Sequence, residues 1–379
     1  MFPKSFDQAH GKRILIFSLA YYPMVGGAEI AVREITSRIS DIEFDLVTLR
    51  FSKKHPAKEK IGNCTVYRIN SGPGYLGKIF FVPFAAFHAI KLNKDKKYDA
   101  LWAIMTNMLF PIVLMRLLGN RTPYILTLQD GDPFEYVFQR TRIKIFMPLL
   151  KYGFSHADKV QAISSFLANW ARQMGYRGRV EVIPNGVDVK KFEKTVHLAV
   201  SPPSEVTLVT TSRLVEKNAV GDIIEAFKFL PDNVSLEVLG AGPLEEVLRS
   251  KVKSLNLGNR VEFLGNIPHY DIPKYLNAAD IFVRPSLSEG MGNSFIEAMA
   301  AGLPVIATPV GGIPDFLKHE ETGLFCEVRN PKSIAEQVER LITDEPLRNK
   351  LIANAKKMVE EKYDWDLIAE EMRSKVFNL

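Results

Sequence analysis

The residue types that do chemistry are densest in Ser288-Glu289-Gly290-Met291-Gly292-Asn293-Ser294-Phe295-Ile296-Glu297. Pro285-Ser286 closes a buried strand just before it, Gly290 and Gly292 allow close backbone approach, and Asn293 or Ser294 can cap the helix that follows. A helix starting there points its first free N–H groups into the space ahead, an anion site suited to a phosphate group. Glu289 and Glu297 bracket the loop and the first turn of that helix. The first carboxylate stands where sugar hydroxyls could be held, and the second can accept from a ribose diol. The plainer alternative makes Glu289 a solvated loop residue and Glu297 a partner of the helix dipole.

A second glycine motif, Gly72-Pro73-Gly74-Tyr75-Leu76-Gly77-Lys78-Ile79, has the spacing of both a dinucleotide loop and a phosphate loop. It lacks the chemistry of either. Ile79 has no hydroxyl for magnesium after the lysine, and Pro73 has no N–H to offer a pyrophosphate. A flexible glycine loop is expected there.

The elements that must position these residues alternate strand and helix. Apolar runs at 13–19, 44–48, 65–69, 100–104, 124–128 and 180–183 are separated by amphipathic helical patterns, beginning with 28–39. Fully apolar strands joined by helices mean parallel sheets covered on both faces. The turn Pro184-Asn185-Gly186 and a polar stretch holding Pro202-Pro203 mark a domain boundary. Strands at 206–210, 235–239, 261–264, 281–283 and 304–307 then restart the pattern. The fold class is α/β, with two doubly wound Rossmann-like lobes, residues 1–188 and 189–362, facing an inter-lobe cleft where ligands bind.

Composition fits this plan. The 379 residues suit two domains, and 46% apolar with 24% charged residues excludes fibrous and disordered classes. The net charge of +6 hides a split, with 27 basic and 15 acidic residues in 1–190, and 22 and 28 in 191–379. Without base-stacking or groove-reading motifs, the basic excess does not make a nucleic-acid binder. Cys64 and Cys326 form no metal or redox spacing, which fits a reducing compartment. No stretch reads as long and apolar enough to span a bilayer, so a cytoplasmic location is expected. Residues 78–97 and 140–151 mix aromatic and basic side chains; they suit an anionic membrane interface, or else core-facing helices with cationic ends.

Several motifs together resemble family 4 of the retaining GT-B glycosyltransferases. Glu289 and Glu297 are continued by Ala298-Met299-Ala300-Ala301-Gly302-Leu303-Pro304 and preceded by Ala279-Asp280-Ile281-Phe282-Val283-Arg284-Pro285-Ser286. Pro23-Met24-Val25-Gly26-Gly27-Ala28-Glu29, Ile183-Pro184-Asn185-Gly186-Val187-Asp188, Ser212-Arg213-Leu214-Val215-Glu216-Lys217 and Leu239-Gly240-Ala241-Gly242-Pro243-Leu244 follow the family order. The resemblance implies a nucleoside-diphosphate sugar donor held mainly by the second lobe and an acceptor by the first. It implies transfer with retention of configuration, no obligatory metal and no cofactor. Arg213 and Lys217 would then neutralise the departing diphosphate, and with Glu289 form the catalytic set. Gly26, Gly27, Asn185, Gly242, Gly290, Met291, Gly292, Asn293, Ser294 and Glu297 would bind the donor. Residues 363–379 resemble the family's closing helix, which returns to the first lobe.

Two departures stand out. The lysine position of the family falls on Lys217 or Asn218, with Ala219 where glycine is common, and Lys217 is preferred. Where many relatives carry histidine near the reacting sugar, this chain has Gln129, followed by Asp130-Gly131-Asp132. Glutamine takes no proton at neutral pH. A front-face reaction, in which the leaving phosphate oxygen receives the acceptor's proton, needs no base there; Asp130 or Asp132 could orient the acceptor hydroxyl, or form an ordinary turn. The reading that results is a hexosyltransferase using a UDP-sugar in preference to a GDP-sugar. Its acceptor is a lipid-linked or cell-surface glycan, reached by peripheral contact with a membrane. A nucleotide-sugar epimerase and a non-catalytic sugar-nucleotide binder share the two-lobe plan.

Overall fold

A computed structural model describes residues 11–70, 72, 74–192 and 205–378, so Pro73 and Pro202-Pro203 lie outside the described residues. The first sheet is built from β1 (Lys12–Phe17), β2 (Ile42–Leu49), β3 (Lys58–Ile61), β4 (Cys64–Ile69), β5 (Ala100–Ile104), β6 (Tyr124–Leu128), β7 (Lys159–Ala162) and β8 (Val180–Val182), in the order β3-β4-β2-β1-β5-β6-β7-β8. The second contains β9 (Val206–Thr211), β10 (Val234–Leu239), β11 (Val261–Gly265), β12 (Ile281–Arg284), β13 (Val305–Ala307) and β14 (Leu324–Phe325), ordered β11-β10-β9-β12-β13-β14.

All pairings within the two sheets are parallel except that of β3 with β4. Lys58-Glu59-Lys60-Ile61 forms this antiparallel edge, where charged side chains face water and discourage further pairing. Strand order reverses at β1/β5 and at β9/β12, which opens the crevices where loops after the strands meet.

Each sheet is covered on both faces. Helix Gly27–Arg38 packs against helix Trp365–Glu371 on one face of the first sheet, and Phe377 sets its ring 5.8 Å from Phe44 and 4.8 Å from Trp102. The chain thus returns from the second lobe to the first. Its two crossings are zipped together: the Val187 N–H donates to the Tyr363 carbonyl at 2.7 Å, and the Trp365 N–H to the Val187 carbonyl at 3.3 Å. Both cysteines are free and buried.

The opposite face carries helices Gly74–Lys96, Leu109–Leu117 and Met147–Ser155. The first corrects two expectations. From Gly74 onward the glycine motif is helical rather than a loop. That helix, 23 residues long, is also long and apolar enough, by length and composition, to cross a membrane, with one stretch of it reaching a mean hydropathy of 1.3. Phe80, Phe84 and Phe87 supply the apolarity between Lys78 and the lysines at its end. Gly77, Phe81, Ala85, Ala86 and Ala89 are buried, while Leu76, Ile79, Phe80, Phe84 and Phe87 are exposed.

The loop after β6 is pinned by a buried carboxyl group. Asp130 Oδ2 accepts from the Thr106 hydroxyl at 3.0 Å and its N–H at 3.4 Å, tying this loop to the one after β5. Burial pushes the Asp130 carboxyl up to about 6.

Two stability measurements follow from this packing. Phe377→Ala, which empties an aromatic site on the first lobe, lowers unfolding free energy by about 3–5 kcal/mol in a urea titration. A loss below about 1 kcal/mol contradicts docking of the C-terminal segment. For Asp130, the folded chain holds a proton between about pH 4 and 6 that the unfolded chain has lost, so stability from this group rises as pH falls through that window. Asp130→Asn keeps the acceptor and removes the charge. It gains up to roughly 3 kcal/mol over the natural chain near about pH 7.5, and the gain shrinks toward about pH 4.5. A gain equal at both pH values contradicts the buried-acid assignment.

Candidate active site

The loops carrying the chemistry-bearing residues leave the carboxyl ends of β1, β6, β8, β9, β10 and β12. Among them the loop after β12 is the most constrained. Pro285-Ser286 ends the strand, and Gly292 (φ +88°) is the N-cap of helix Asn293–Ala300, without a side-chain cap. This corrects the expectation that Asn293 or Ser294 caps. Both sit inside the first turn with their side chains engaged elsewhere, and glycine takes the left-handed cap conformation at least cost. The helix N-terminus therefore keeps backbone N–H groups without a side-chain cap.

Glu289 and Glu297 are both buried, Glu289 at 8% exposure, which excludes the solvated-loop alternative. Glu289 Oε2 accepts from Arg284 Nη2 at 2.6 Å, and its Oε1 accepts from the Gly290 N–H at 3.2 Å. Arg284 Nη1 reaches the Ser294 hydroxyl at 2.6 Å, and its Nη2 reaches Asn218 Oδ1 at 3.1 Å. Asn218 also donates to the Arg213 carbonyl at 2.6 Å, fixing the loop after β9. Ala219 follows at φ +50°, the left-handed conformation that glycine adopts at less cost.

Of the two candidates for the lysine position, Asn218 is buried in this network and Lys217 faces the cleft. Lys217 Nζ pairs with Asp132 of the opposite lobe at 3.1 Å. A Cβ on Gly131 would sit 2.9 Å from Lys217 Nζ and 3.6 Å from Glu289 Oε1, so ammonium and carboxylate share the space beside Gly131. Arg213 is exposed and forms no ion pair among the described residues.

A second cluster joins the lobes. Asn185 Nδ2 donates to Gln129 Oε1 at 3.2 Å and to Asn293 Oδ1 at 3.1 Å, and the Asn185 N–H meets Met291 Sδ at 3.3 Å. Ser288 donates to the Gly131 carbonyl at 3.3 Å. Gly27 approaches the same place, since a Cβ there would lie 3.4 Å from Asn293 Nδ2. Gly26 donates its N–H to Glu29 at 2.8 Å, closing the loop after β1, and burial raises the Glu29 carboxyl above the usual range. Gly242 lies under the loop after β9, where a Cβ would come within 2.4 Å of the Leu214 carbonyl. Asp130 turns its carboxyl to Thr106, whereas Asp132 presents its own to Lys217.

Glu297 stands apart from these clusters and pairs with His269 Nε2 at 2.8 Å. Neither His269 nor Arg284 was singled out by type and spacing. One follows β11 and the other ends a buried strand, and only tertiary packing brings them to the two glutamates. An arginine interrupting the apolar run before Pro285-Ser286 was the available signal.

Comparison with known proteins places this geometry in a family. The profile described as Glycosyl transferases group 1 matches residues 167–358, about half of the chain, and that of Glycosyltransferase Family 4 matches 25–191. N-acetyl-alpha-D-glucosaminyl L-malate synthase of Bacillus anthracis is 28% identical over 368 residues, covering 92% of this chain and 93% of that protein. The capsular polysaccharide biosynthesis glycosyltransferase CapM of Staphylococcus aureus is 33% identical over 264 residues, 66% of this chain and 67% of CapM. HepE of Anabaena, solved in complex with UDP-glucose, superposes with a TM-score of 0.80 over 97% of this chain and 100% of that chain, at 21% identity. The two sheets, the loops at their carboxyl ends and the matches in chain order lead to one conclusion: the chain belongs to the Glycosyl transferases group 1 family and is a glycosyltransferase of the two-lobed GT-B fold.

Proposed function

We propose that the chain moves a hexose-type sugar from a nucleoside diphosphate sugar, UDP-linked in preference to GDP-linked, to a hydroxyl of a lipid-linked or cell-surface glycan, with retention of configuration. The observation that carries this is the shared space beside Gly131. An ammonium (Lys217) and a carboxylate oxygen (Glu289 Oε1) meet there, in the lobe whose helix Asn293–Ala300 lacks a side-chain cap. That combination suits a sugar joined to a diphosphate. HepE binds UDP-glucose, and CapM belongs to capsule synthesis, which favours both ends of the reading.

In this reading Arg213 and Lys217 hold the diphosphate, with charge neutralised by these cations and the helix N-terminus rather than by a metal. Glu297 holds the ribose, Glu289 the sugar, and Gly26-Gly27 close the far side of the donor. The bond from the anomeric carbon to the diphosphate oxygen breaks while the acceptor oxygen bonds on the same face. The acceptor's proton passes to the leaving phosphate oxygen, so Gln129 needs no basicity. Asp132, released from Lys217 when the diphosphate arrives, orients the acceptor hydroxyl.

Peripheral membrane contact at the cytoplasmic face belongs to the same proposal. Leu76, Ile79, Phe80, Phe84 and Phe87 form an exposed apolar face with Lys78, Lys91 and Lys94 beside it. Ile145, Phe146 and Leu149 are exposed as well, with Phe146 packed edge-on to Phe110 at 5.9 Å. Helix Gly74–Lys96 begins shortly after the carboxyl end of β4, on the cleft side of the first sheet. Apolar side chains rimmed by lysine fit an anionic bilayer surface.

Two measurements test the proposal. Arg213→Ala lowers kcat/KM for sugar transfer by roughly 100- to 1,000-fold, because diphosphate charge grows in the transition state; unchanged turnover refutes the assignment. In flotation assays the natural chain binds phosphatidylglycerol-containing vesicles better than pure phosphatidylcholine ones. Phe80→Ala/Phe84→Ala/Phe87→Ala loses at least about tenfold in that binding, each ring contributing roughly 1.5 kcal/mol or more when buried. Equal binding by the triple variant rules out this face as the contact.

A further inference from the structure

Arg284 ends β12, and its guanidinium group lies in the floor of the site without facing the cleft. The residue is 9% exposed. Three acceptors surround it: the Ser294 hydroxyl at 2.6 Å, Asn218 Oδ1 at 3.1 Å and Glu289 Oε2 at 2.6 Å. Its Nε is buried without a partner, and its guanidinium carbon lies 5.3 Å from the Phe295 ring centroid. Stability alone does not recommend this arrangement. A cation beneath the N-terminus of helix Asn293–Ala300 opposes the helix dipole, and a buried ion pair is commonly no better than an apolar pair of the same shape.

What the arrangement does accomplish is to divide the two oxygens of Glu289. Oε2 is held by Arg284, whereas Oε1 takes the Gly290 N–H and borders the space beside Gly131 and Lys217 Nζ. With one oxygen fixed from below, the carboxylate has one orientation, and one oxygen is left to accept from a ligand.

We propose that Arg284 is a positioning residue for recognition of the donor's sugar: by binding Oε2 it locks Glu289 with Oε1 toward the sugar hydroxyls, in the room left by the absent side chain of Gly131. This rests on the nucleotide-sugar reading above and adds to it a residue to which that reading gave no role. Arg284 acts through Glu289, so its removal affects the sugar and spares the nucleotide.

Titration calorimetry with UDP, UDP-glucose, GDP and GDP-mannose separates these contributions. The readout is the ratio of the Kd of the bare nucleotide to that of its sugar, for whichever base binds. Arg284→Met is expected to lower that ratio by about tenfold or more while the bare nucleotide's Kd stays within about threefold. Glu289→Gln lowers the same ratio, and Arg284→Met adds nothing on the Glu289→Gln background, a coupling that an independent structural role would not give. Should Arg284→Met fail to fold, its unpaired buried carboxylate being the cause, the double variant carries the test: a ratio equal to that of Glu289→Gln alone supports the proposal, and a further loss overturns it. Equal weakening of nucleotide and nucleotide sugar by Arg284→Met also overturns it, assigning Arg284 to the diphosphate instead. A changed ratio in Glu289→Gln with none in Arg284→Met leaves the sugar pocket standing and removes Arg284 from it. If the natural chain binds none of the four compounds, the reading of a UDP- or GDP-linked donor fails and this inference with it.

Discussion

The site depends on backbone packed against backbone around Glu289 and Gly290. A Cβ on Gly311 would lie 1.8 Å from the Glu289 carbonyl oxygen, and one on Gly312 would lie 2.1 Å from that of Gly290. From the other lobe, the Asp130 carbonyl comes so close that a Cβ on Gly290 would sit 2.4 Å away. The Gly312 N–H donates to the Glu289 carbonyl at 3.0 Å and fixes the loop's height. Because three glycines let this loop sit so deep, Arg284 can reach Glu289 from below while Lys217 reaches the same space from the side. Asp130, pinned by Thr106, holds the opposing wall. Positions of the glutamate, the cations and the inter-lobe contact follow from that one close approach.

Charge is arranged on two scales. The second lobe is net acidic, yet Arg213, Lys217 and a helix N-terminus without a side-chain cap lie on its cleft side, with Arg284 in the floor beneath. Anion binding there is a matter of local placement, since exposed charges farther than about 8–10 Å are screened at physiological salt. The first lobe's excess of basic residues is a surface property, and part of it borders the apolar outer face of helix Gly74–Lys96. The two halves of the chain thus meet two different anions in the proposed reaction, a soluble diphosphate and a lipid surface.

Much of the fold was legible because buried parallel strands are short apolar runs. Residues 100–104 and 124–128 begin and end where the pattern placed them. Lys58–Ile61 was missed because a charged edge strand lacks an apolar run, and for helix Gly74–Lys96 the exposed and core-facing alternatives stayed open because periodicity does not tell which side is covered. In the site, local sequence singled out Glu289, Glu297 and Lys217 as candidates by type and spacing. The cap was not legible, since Asn293 and Ser294 look like caps by type while Gly292 takes the left-handed conformation. The roles of Arg284 and His269 were not legible for a different reason: their partners lie 5 and 28 residues away and meet them only when strands and loops pack.

The central claim is that the cleft holds a nucleoside diphosphate sugar, and thermal unfolding with a panel of UDP-, GDP- and ADP-sugars tests it most directly. A ligand that binds only the folded chain adds about 2.7 kcal/mol at a hundredfold excess over its Kd. The expected result is a concentration-dependent rise in Tm with the sugars of one base, UDP foremost. A panel that leaves Tm unmoved at every concentration contradicts the assignment of this cleft.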